Sequence, residues 1–195
     1  MASPTGNLLD YIRANPNFNQ RNSINWFMRN VRDLGFAVNY GPMKMLGDNL
    51  SRQVSTPTVG KMLMFTYSPK HKETLPFYDT FPLVIPFSVT PTHFTGINFH
   101  YLFPRVRLSL LNHLLTYAND DTMDANKKIL LTWDLLKRAG KTVDCSRAVK
   151  QYLLSHVMSR FVEVAPVDWV SVIHLPLERF KKAQNSTVWL KSGTP

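Results

Sequence analysis

Side chains that could attack a substrate are scarce in this chain of 195 residues, and its single cysteine is the first candidate. Cys145 lies where a helix is predicted to begin, and a helix N-terminus can lower the pKa of a thiol. Nucleophilic catalysis also needs a base and an orienting group beside the nucleophile. The sequence contains no G-x-S-x-G and no second motif of a cysteine enzyme. We therefore expect a protein that is not an enzyme and acts by binding.

The histidines and acidic residues lack the spacing of a metal site. None of the six histidines belongs to an H-x-H or H-x-x-x-H pair. Asp120, Asp121 and Asp124 are close together, but the glycine and the terminal glutamate of a calcium loop are missing. The triplet G-K-T at 140–142 lacks the upstream glycine of a phosphate-binding loop. We therefore expect no metal, no cofactor and no small-molecule substrate.

An excess of positive charge is the clearest indication of a partner. The chain has 23 basic and 13 acidic residues, and its formal net charge is +10. Such a charge favours an anionic partner, either nucleic acid or an acidic protein surface. The excess is spread along the chain without a basic tract, whereas a dedicated nucleic-acid site usually concentrates its charge. Both kinds of partner stay open.

One group of basic residues is interleaved with aromatic residues and could follow a nucleic-acid strand. Cations that contact phosphates and rings that stack on bases are the two components of single-strand binding surfaces. The predicted nucleic-acid or partner contacts are Lys61, Lys70, Lys72, Arg105 and Arg107, with His71 beside them. The interleaved aromatic residues are Tyr67, Phe77, Tyr78, Phe99 and Tyr101. The alternative is that these rings form the core of a small sheet and that residues 70–72 are a solvated turn.

A second candidate surface for partners involves the two ends of the chain. Residues 1–57 are predicted to form a helical arm and a connector, with Ser23 as a helix cap. Trp26, Arg29 and Arg32 would lie on the outer face of that helix, and a tryptophan beside two arginines is typical of an interface anchor. Core packing of Trp26 is the alternative. Together with Trp189 near the other end, these residues are predicted to bind partners.

Residues 58–185 are predicted to form an α+β core domain, and residues 186–195 a tail. Short strands rich in aromatic residues are expected at 61–67, 83–87 and 95–102, with Leu63, Phe65 and Tyr67 on one side of the first. Prolines should confine the second strand to a sheet edge or to bent geometry. These strands favour a small antiparallel sheet or an SH3-like barrel flanked by helices.

The helices of the core domain are predicted from caps and apolar spacing. Pro104 is placed to begin one helix, and a second should end near Gly140. Asp144 can cap a third, with Arg147 and Lys150 on its outer face. The segment 169–175 is expected to be a last strand.

Neither a secretory signal nor a membrane span is expected from the sequence. Residues 1–15 lack the apolar run of a signal peptide, and the densest apolar stretch, 75–89, is interrupted by three prolines. The single Cys145 cannot form an internal disulfide, which fits folding in a reducing compartment. We therefore expect a protein that folds in a cytoplasm and has no membrane partner.

Several segments resemble a group of structural proteins from T4-like and other large contractile-tailed phages. The resemblance is carried by residues 60–70 (GKMLMFTYSPK), 75–84 (LPFYDTFPLV) and 96–102 (GINFHYL), and at the C-terminal side by Trp169 and residues 175–180 (LPLERF). Members of this group are described as DNA end protectors or as virion structural proteins. The resemblance implies a component of the virion, folded in the host cytoplasm, without enzymatic activity.

Two functions are consistent with these observations. The first is a non-catalytic assembly protein that binds other virion proteins in the neck, tail or baseplate. It predicts that the segments around Trp26 and Trp189 become ordered only in the particle, where they would bury apolar groups. The second is a DNA-binding protein that protects the ends of the phage genome, which predicts tight and salt-dependent DNA binding.

Overall fold

The computed structural model describes residues 53–193 except residues 119, 121, 174 and 176. The predicted helical arm with Trp26, Arg29 and Arg32 lies outside the described residues, as does most of the connector. Strands and helices both occur along the described part, so the α+β class predicted from the sequence is confirmed.

Six strands form one antiparallel sheet in the order β1-β7-β2-β4-β5-β6. The strands are β1 (Gln53–Val54), β2 (Met62–Met64), β4 (Leu83–Val89), β5 (His93–Asn98), β6 (Val149–Leu153) and β7 (Phe161–Val164). A separate antiparallel pair consists of β3 (Tyr78–Asp79) and β8 (Phe180–Lys181). Among the described strands, β1 and β6 are the open edges of the sheet, so the SH3-like barrel is wrong and the small antiparallel sheet is right.

The two faces of the sheet bury different side chains. Met62 and Met64 belong to the larger core together with residues of helices α1 (Pro104–Ala118) and α2 (Ala125–Ala139). Leu63 and Phe65 alternate to the other face, where they join an aromatic cluster that includes Tyr67, Phe94, Tyr152 and Phe161. The predicted placement of Leu63, Phe65 and Tyr67 on one side is therefore confirmed.

Strand β4 contains Pro86 and yet lies inside the sheet, between β2 and β5. The register with β5 shifts between Pro86 and Ser88, so the strand is irregular where the proline cannot donate a hydrogen bond. Gly96 faces Pro86, and a Cβ at Gly96 would lie 2.6 Å from the carbonyl oxygen of Ile85. The predicted edge position was wrong, and the predicted irregular geometry is what allows an interior proline.

The first long helix begins at the predicted Pro104, and the second ends at Ala139, next to the predicted Gly140. Helix α1 begins at Pro104, and its buried residues Leu110, Leu111 and Leu114 join the larger core. Helix α2 is capped by Asp124, whose carboxylate accepts a hydrogen bond of 2.9 Å from the backbone N–H of Lys127. No helix in the described part of the chain is long and apolar enough to cross a membrane.

The predicted helix from Asp144 is mostly wrong. Helix α3 (Val143–Ser146) has a single turn, and the chain then enters strand β6, which pairs with β5 at the edge of the sheet. The spacing of Ala148 and Tyr152 suits a helix, but pairing with β5 uses the backbone groups of residues 149–153 and buries Tyr152 in the aromatic cluster. Lys150 therefore lies on a strand and not on the solvated face of a helix.

The C-terminal part also differs from prediction. Residues 166–172 form a 3₁₀ turn and the short helix α4 (Trp169–Val172), where a strand was expected. Buried Trp169, Val172 and Ile173 follow the i, i+3, i+4 spacing of a helix, which explains the difference. The predicted tail begins with helix α5 (Asn185–Gly193), which buries Val188.

Candidate functional site

A surface cleft of about 350 Å³ lies where strand β6, the ribbon of β3 and β8, and the turn after residue 67 meet. We call it the aromatic–basic cleft, because tyrosines, lysines and a histidine make up much of its lining. The lining residues are Tyr67, Pro69, Lys70, His71, Leu75, Phe77, Tyr78, Asp79, Tyr101, Lys150, Gln151, Tyr152 and Leu153. Segments that are distant in sequence therefore meet at one concave surface.

The turn at 68–75 carries Lys70 and His71 and is fixed at both ends. At its start, the backbone of Ser68 exchanges two hydrogen bonds with His156, at 3.1 Å and 2.8 Å. At its end, the ammonium group of Lys182 donates to the backbone carbonyls of residues 72, 73 and 75 at 2.7, 2.8 and 3.2 Å. Lys70 and His71 are therefore exposed on a turn whose two ends are fixed by hydrogen bonds. We call this turn, residues 68–75, the braced rim of the aromatic–basic cleft.

Lys150 is the most unusual cation of the cleft. Its ammonium nitrogen lies 4.2 Å from the centre of the Tyr101 ring, which is a cation–π contact. Within the described residues no carboxylate forms an ion pair with Lys150. Burial lowers the pKa of Lys150 from 10.5 to about 8. The described part of the fold therefore holds a largely charged lysine in a partly dehydrated position and places no carboxylate against it.

Asp79, the one acidic residue among the described lining residues, already has its hydrogen-bond partners inside the fold. Its Oδ2 accepts a hydrogen bond of 2.7 Å from Nδ1 of His100, and both side chains are 1% exposed. Asn98 and the backbone N–H of Phe81 donate to the same carboxylate. Burial by itself would raise the pKa of Asp79, but the charge and hydrogen bond of His100 outweigh burial and lower it. The carboxylate of Asp79 thus stabilises the fold and forms no ion pair with Lys150.

Tyr101 and Tyr152 form rigid walls of the aromatic–basic cleft. The Tyr101 ring meets Phe180 edge-on at 5.0 Å, and Tyr152 stacks on Phe94 at 5.1 Å. The hydroxyl of Tyr152 accepts a hydrogen bond of 2.9 Å from Asn98. Burial, followed by nearby negative charge, raises the pKa of Tyr101. The rings therefore stay neutral at physiological pH and are held in place by their neighbours.

The structure separates the five basic residues predicted to contact nucleic acid. Lys70 lines the cleft, and Lys72 is exposed on the same turn. Arg105 is exposed in the first turn of α1. Lys61 forms an ion pair of 2.9 Å with Glu163 and lines a different cavity of about 220 Å³. Lys70 and Lys72 lie on the same turn, and their contact with nucleic acid stays a prediction. Lys61 is not part of the aromatic–basic cleft.

Arg107 does not reach the surface. Its side chain is 3% exposed and forms an ion pair of 2.6 Å with Glu178. The guanidinium also donates to the backbone carbonyls of Leu102, Ile173 and His100. Because these bonds occupy the donors within the fold, the prediction of Arg107 as a phosphate contact is corrected: it joins α1 to the C-terminal segment.

Trp189 packs against the domain from helix α5. Its indole N–H donates a hydrogen bond of 2.9 Å to the carbonyl of His100, and the Arg107 guanidinium lies 5.4 Å from its ring centre. Trp189 is nevertheless only partly buried, so its role in partner binding stays a prediction. Trp26, Arg29 and Arg32 lie outside the described residues.

The side chains considered for catalysis or metal binding, Cys145 and Asp120 among them, have contacts that are typical of structural residues. Cys145 is 5% exposed, and burial raises the pKa of its thiol. Within the described part of the chain, no group of three histidine, cysteine or acidic side chains could hold a metal ion. Asp120 accepts hydrogen bonds from the backbone and the side chain of Thr122, as expected of a turn.

Sequence reasoning missed Lys150 and Tyr152 because it assigned them to a helix. Residues 149–153 carry no alternation of apolar and polar side chains that would have indicated a strand, and only the strand itself places Lys150 and Tyr152 on one side. Sequence reasoning also missed Asp79 and Asn98, whose roles depend on contacts across 19 residues or more.

Residues 7–192 match the family described as phage T4 terminal DNA protecting protein. This match covers nearly the whole chain, and the chain therefore belongs to that family of phage proteins. The resemblance to T4-like phage proteins noted from the strand segments is thereby confirmed. No curated protein and no solved structure shows a significant match.

Proposed function

We propose that this protein binds the ends of linear phage DNA and shields them, and that it does so without a catalytic step. The family to which the chain belongs is described by terminal DNA protection, which supports a DNA partner. The observation that carries the proposal is the aromatic–basic cleft, where Lys150 is held charged and, among the described residues, has no carboxylate partner. A phosphate group would supply the missing negative charge.

The charge distribution around the cleft supports a nucleic-acid partner. Lys70 and His71 stand on the braced rim, and Lys72 follows on the same turn. The net charge of +10 adds a long-range attraction to any polyanion. Phosphate contacts by the rim would give affinity that depends strongly on salt and little on sequence. That combination suits a protein that must bind whatever sequence ends the genome.

Exonuclease protection tests the proposal. A blunt-ended linear duplex is digested from its ends with and without the protein, at physiological salt, and an endonuclease digest of the circular form reports non-specific coating. We expect the protein to delay digestion from ends and to leave the endonuclease digest unaffected. Equal protection in both assays would indicate coating of DNA without end recognition, and absence of protection would contradict the proposal.

Charge reversal on the rim provides a matched comparison. Lys70→Glu combined with Lys72→Glu should weaken protection and should lower the slope of affinity against salt by about 1 for each phosphate that the variant no longer binds. Lys137→Glu combined with Lys141→Glu changes the net charge by the same amount at exposed positions outside the cleft. If both pairs of changes have the same effect, the net charge and not the rim is responsible.

We propose in addition that the protein is seated among other virion proteins, in the neck, tail or baseplate, after folding in the host cytoplasm. Neighbouring apolar residues of α2 support such a contact, since Ile129 is 40% and Leu130 is 64% exposed. Leu130→Glu should lower the amount of protein in purified particles without changing DNA binding in solution. Normal incorporation of this variant would remove α2 from the contact.

A further inference from the structure

We propose that the aromatic–basic cleft takes up one unpaired nucleotide from the DNA terminus, with its phosphate at Lys150 and its base against Phe77 and Tyr78. This inference rests on the proposed function and goes further by naming the recognised unit. It makes the frayed terminal nucleotide, and not the intact duplex, the group that distinguishes an end from the rest of the DNA.

The volume of the cleft supports a ligand of this size. About 350 Å³ is near the lower limit of pockets that hold drug-sized molecules, which is the size class of a single nucleotide. A stacked base pair with its two backbones is too large to enter such a space. A nucleotide that has left the helix can enter, while the following duplex contacts the rim at Lys70.

The positively charged side chains of the cleft indicate where a phosphate would bind. Lys150 comes from the sheet edge and Lys70 from the braced turn, so lysines face the cleft from two sides. Asp79 is the one acidic residue among the described lining residues, and its carboxylate is hydrogen-bonded to His100 at 2.7 Å. A phosphate near Lys150 would therefore meet net positive charge.

The accessible aromatic side chains of the cleft indicate where the base of the nucleotide would stack. Tyr101 is already covered, because Lys150 lies over its ring and Phe180 meets it edge-on. Phe77 and Tyr78 are half-buried and line the same cleft, so they offer aromatic surface that is still accessible. Stacking on such rings depends little on the identity of the base. We therefore expect no preference for one terminal base.

Selectivity for ends follows from the cost of unpairing. An internal nucleotide must be unstacked and unpaired before it can enter, and this step opposes binding. A terminal nucleotide has one stacking neighbour fewer and frays at lower cost. The same cleft would thus bind a terminus more tightly than an internal position of identical sequence.

Photo-crosslinking with 4-thiothymidine tests which nucleotide enters the cleft. The probe is placed at the 5′ terminus, at the 3′ terminus or at an internal position of one blunt duplex, and crosslinked peptides are identified by mass spectrometry. We expect a terminal probe to crosslink to the peptide that contains Phe77 and Tyr78, and the internal probe not to do so. The two terminal positions decide which strand is taken up.

Two variants complete the test. Lys150→Met should abolish the terminal crosslink and lower affinity for ends by about tenfold or more, as expected when a charge-assisted hydrogen bond is removed. Lys137→Met is the matched control, because Lys137 also lies over an aromatic ring, 4.3 Å from Trp133, but outside the cleft. Thermal unfolding of both variants establishes that each is folded.

The outcomes separate this inference from the proposed function. If linear DNA is preferred over circular DNA but terminal probes crosslink elsewhere, or if Lys150→Met binds ends like the control, the inference is wrong and end binding stands. If linear and circular DNA bind equally well, the proposed function fails as well. Crosslinking of terminal and internal probes with equal yield would also overturn uptake of a terminal nucleotide.

Discussion

Lys150→Met should stabilise the fold while it weakens binding to DNA ends. Burial lowers the pKa of Lys150 from 10.5 to about 8, and a change of one in pKa corresponds to about 1.4 kcal/mol. Keeping the ammonium charged therefore costs about 3 kcal/mol at neutral pH. Removal of the cation–π contact with Tyr101 would offset about 1 kcal/mol of the gain.

The net stabilisation expected from Lys150→Met is about 2 kcal/mol at pH 7, or a rise in Tm of about 4 to 8 °C for a protein of this size. The sign follows from proton binding, because the unfolded chain retains the Lys150 proton to higher pH than the folded chain does. The cost is fully present below pH 8 and disappears as the pH rises towards 10.5. The stability advantage of the variant should shrink over the same interval.

Thermal unfolding at several pH values measures this effect, with Lys137→Met as the control. Binding of a labelled blunt duplex, measured for the same two variants, provides the second half of the test. A lower Tm for Lys150→Met would refute the reasoning, because Lys150 would then be a structural residue and not a cation held for a ligand.

Three further predictions concern the surroundings of the cleft. Affinity for DNA ends should fall between pH 7 and pH 9 as Lys150 loses its proton; the same measurement on Lys150→Met, which should lack this fall, checks its origin. Asp79→Asn should lower the free energy of unfolding by about 3 kcal/mol. Because the pKa of Asp79 is lowered in the fold, its carboxylate stabilises the protein at pH values above the ordinary pKa of an aspartate, and this contribution is lost in acid. The variant should therefore lose less stability on acidification, and chemical denaturation at several pH values measures both effects. Arg107→Met should lower the free energy of unfolding by about 3 kcal/mol or more, because it leaves Glu178 buried without its partner. The salt dependence of DNA binding should not change, because Arg107 is buried and does not contact phosphate.

Local patterns in the sequence predict the parts of the fold that local interactions determine. The start of the first long helix at Pro104 and the end of the second near Gly140 were predicted, and alternation around Leu63 and Phe65 gives the correct faces of β2. Residues 149–153 were assigned wrongly because their apolar spacing fits a helix as well as a strand. Pairing with β5 across more than 50 residues of chain decides between them, and no local signal contains that information.

The candidate site was predicted only in part for the same reason. The turn with Lys70 and Lys72 and the aromatic residues Tyr67, Phe77, Tyr78 and Tyr101 were recognised as a possible nucleic-acid surface. Arg107 stands close to them in sequence, yet its guanidinium is bonded inside the fold. Lys150 is distant in sequence and reaches the cleft through β6. Composition and spacing identify candidate side chains, but tertiary contacts decide which of them reach a ligand.

Affinity for one DNA sequence in linear, blunt-ended form and in circular form tests the central claim most directly. The purified protein should be titrated into each form at low and at physiological salt. End protection through the aromatic–basic cleft predicts that the linear form binds more tightly and that the difference persists at physiological salt. Equal affinity for both forms, disappearing together as salt increases, would contradict it and would leave the basic surface to contacts with other virion proteins.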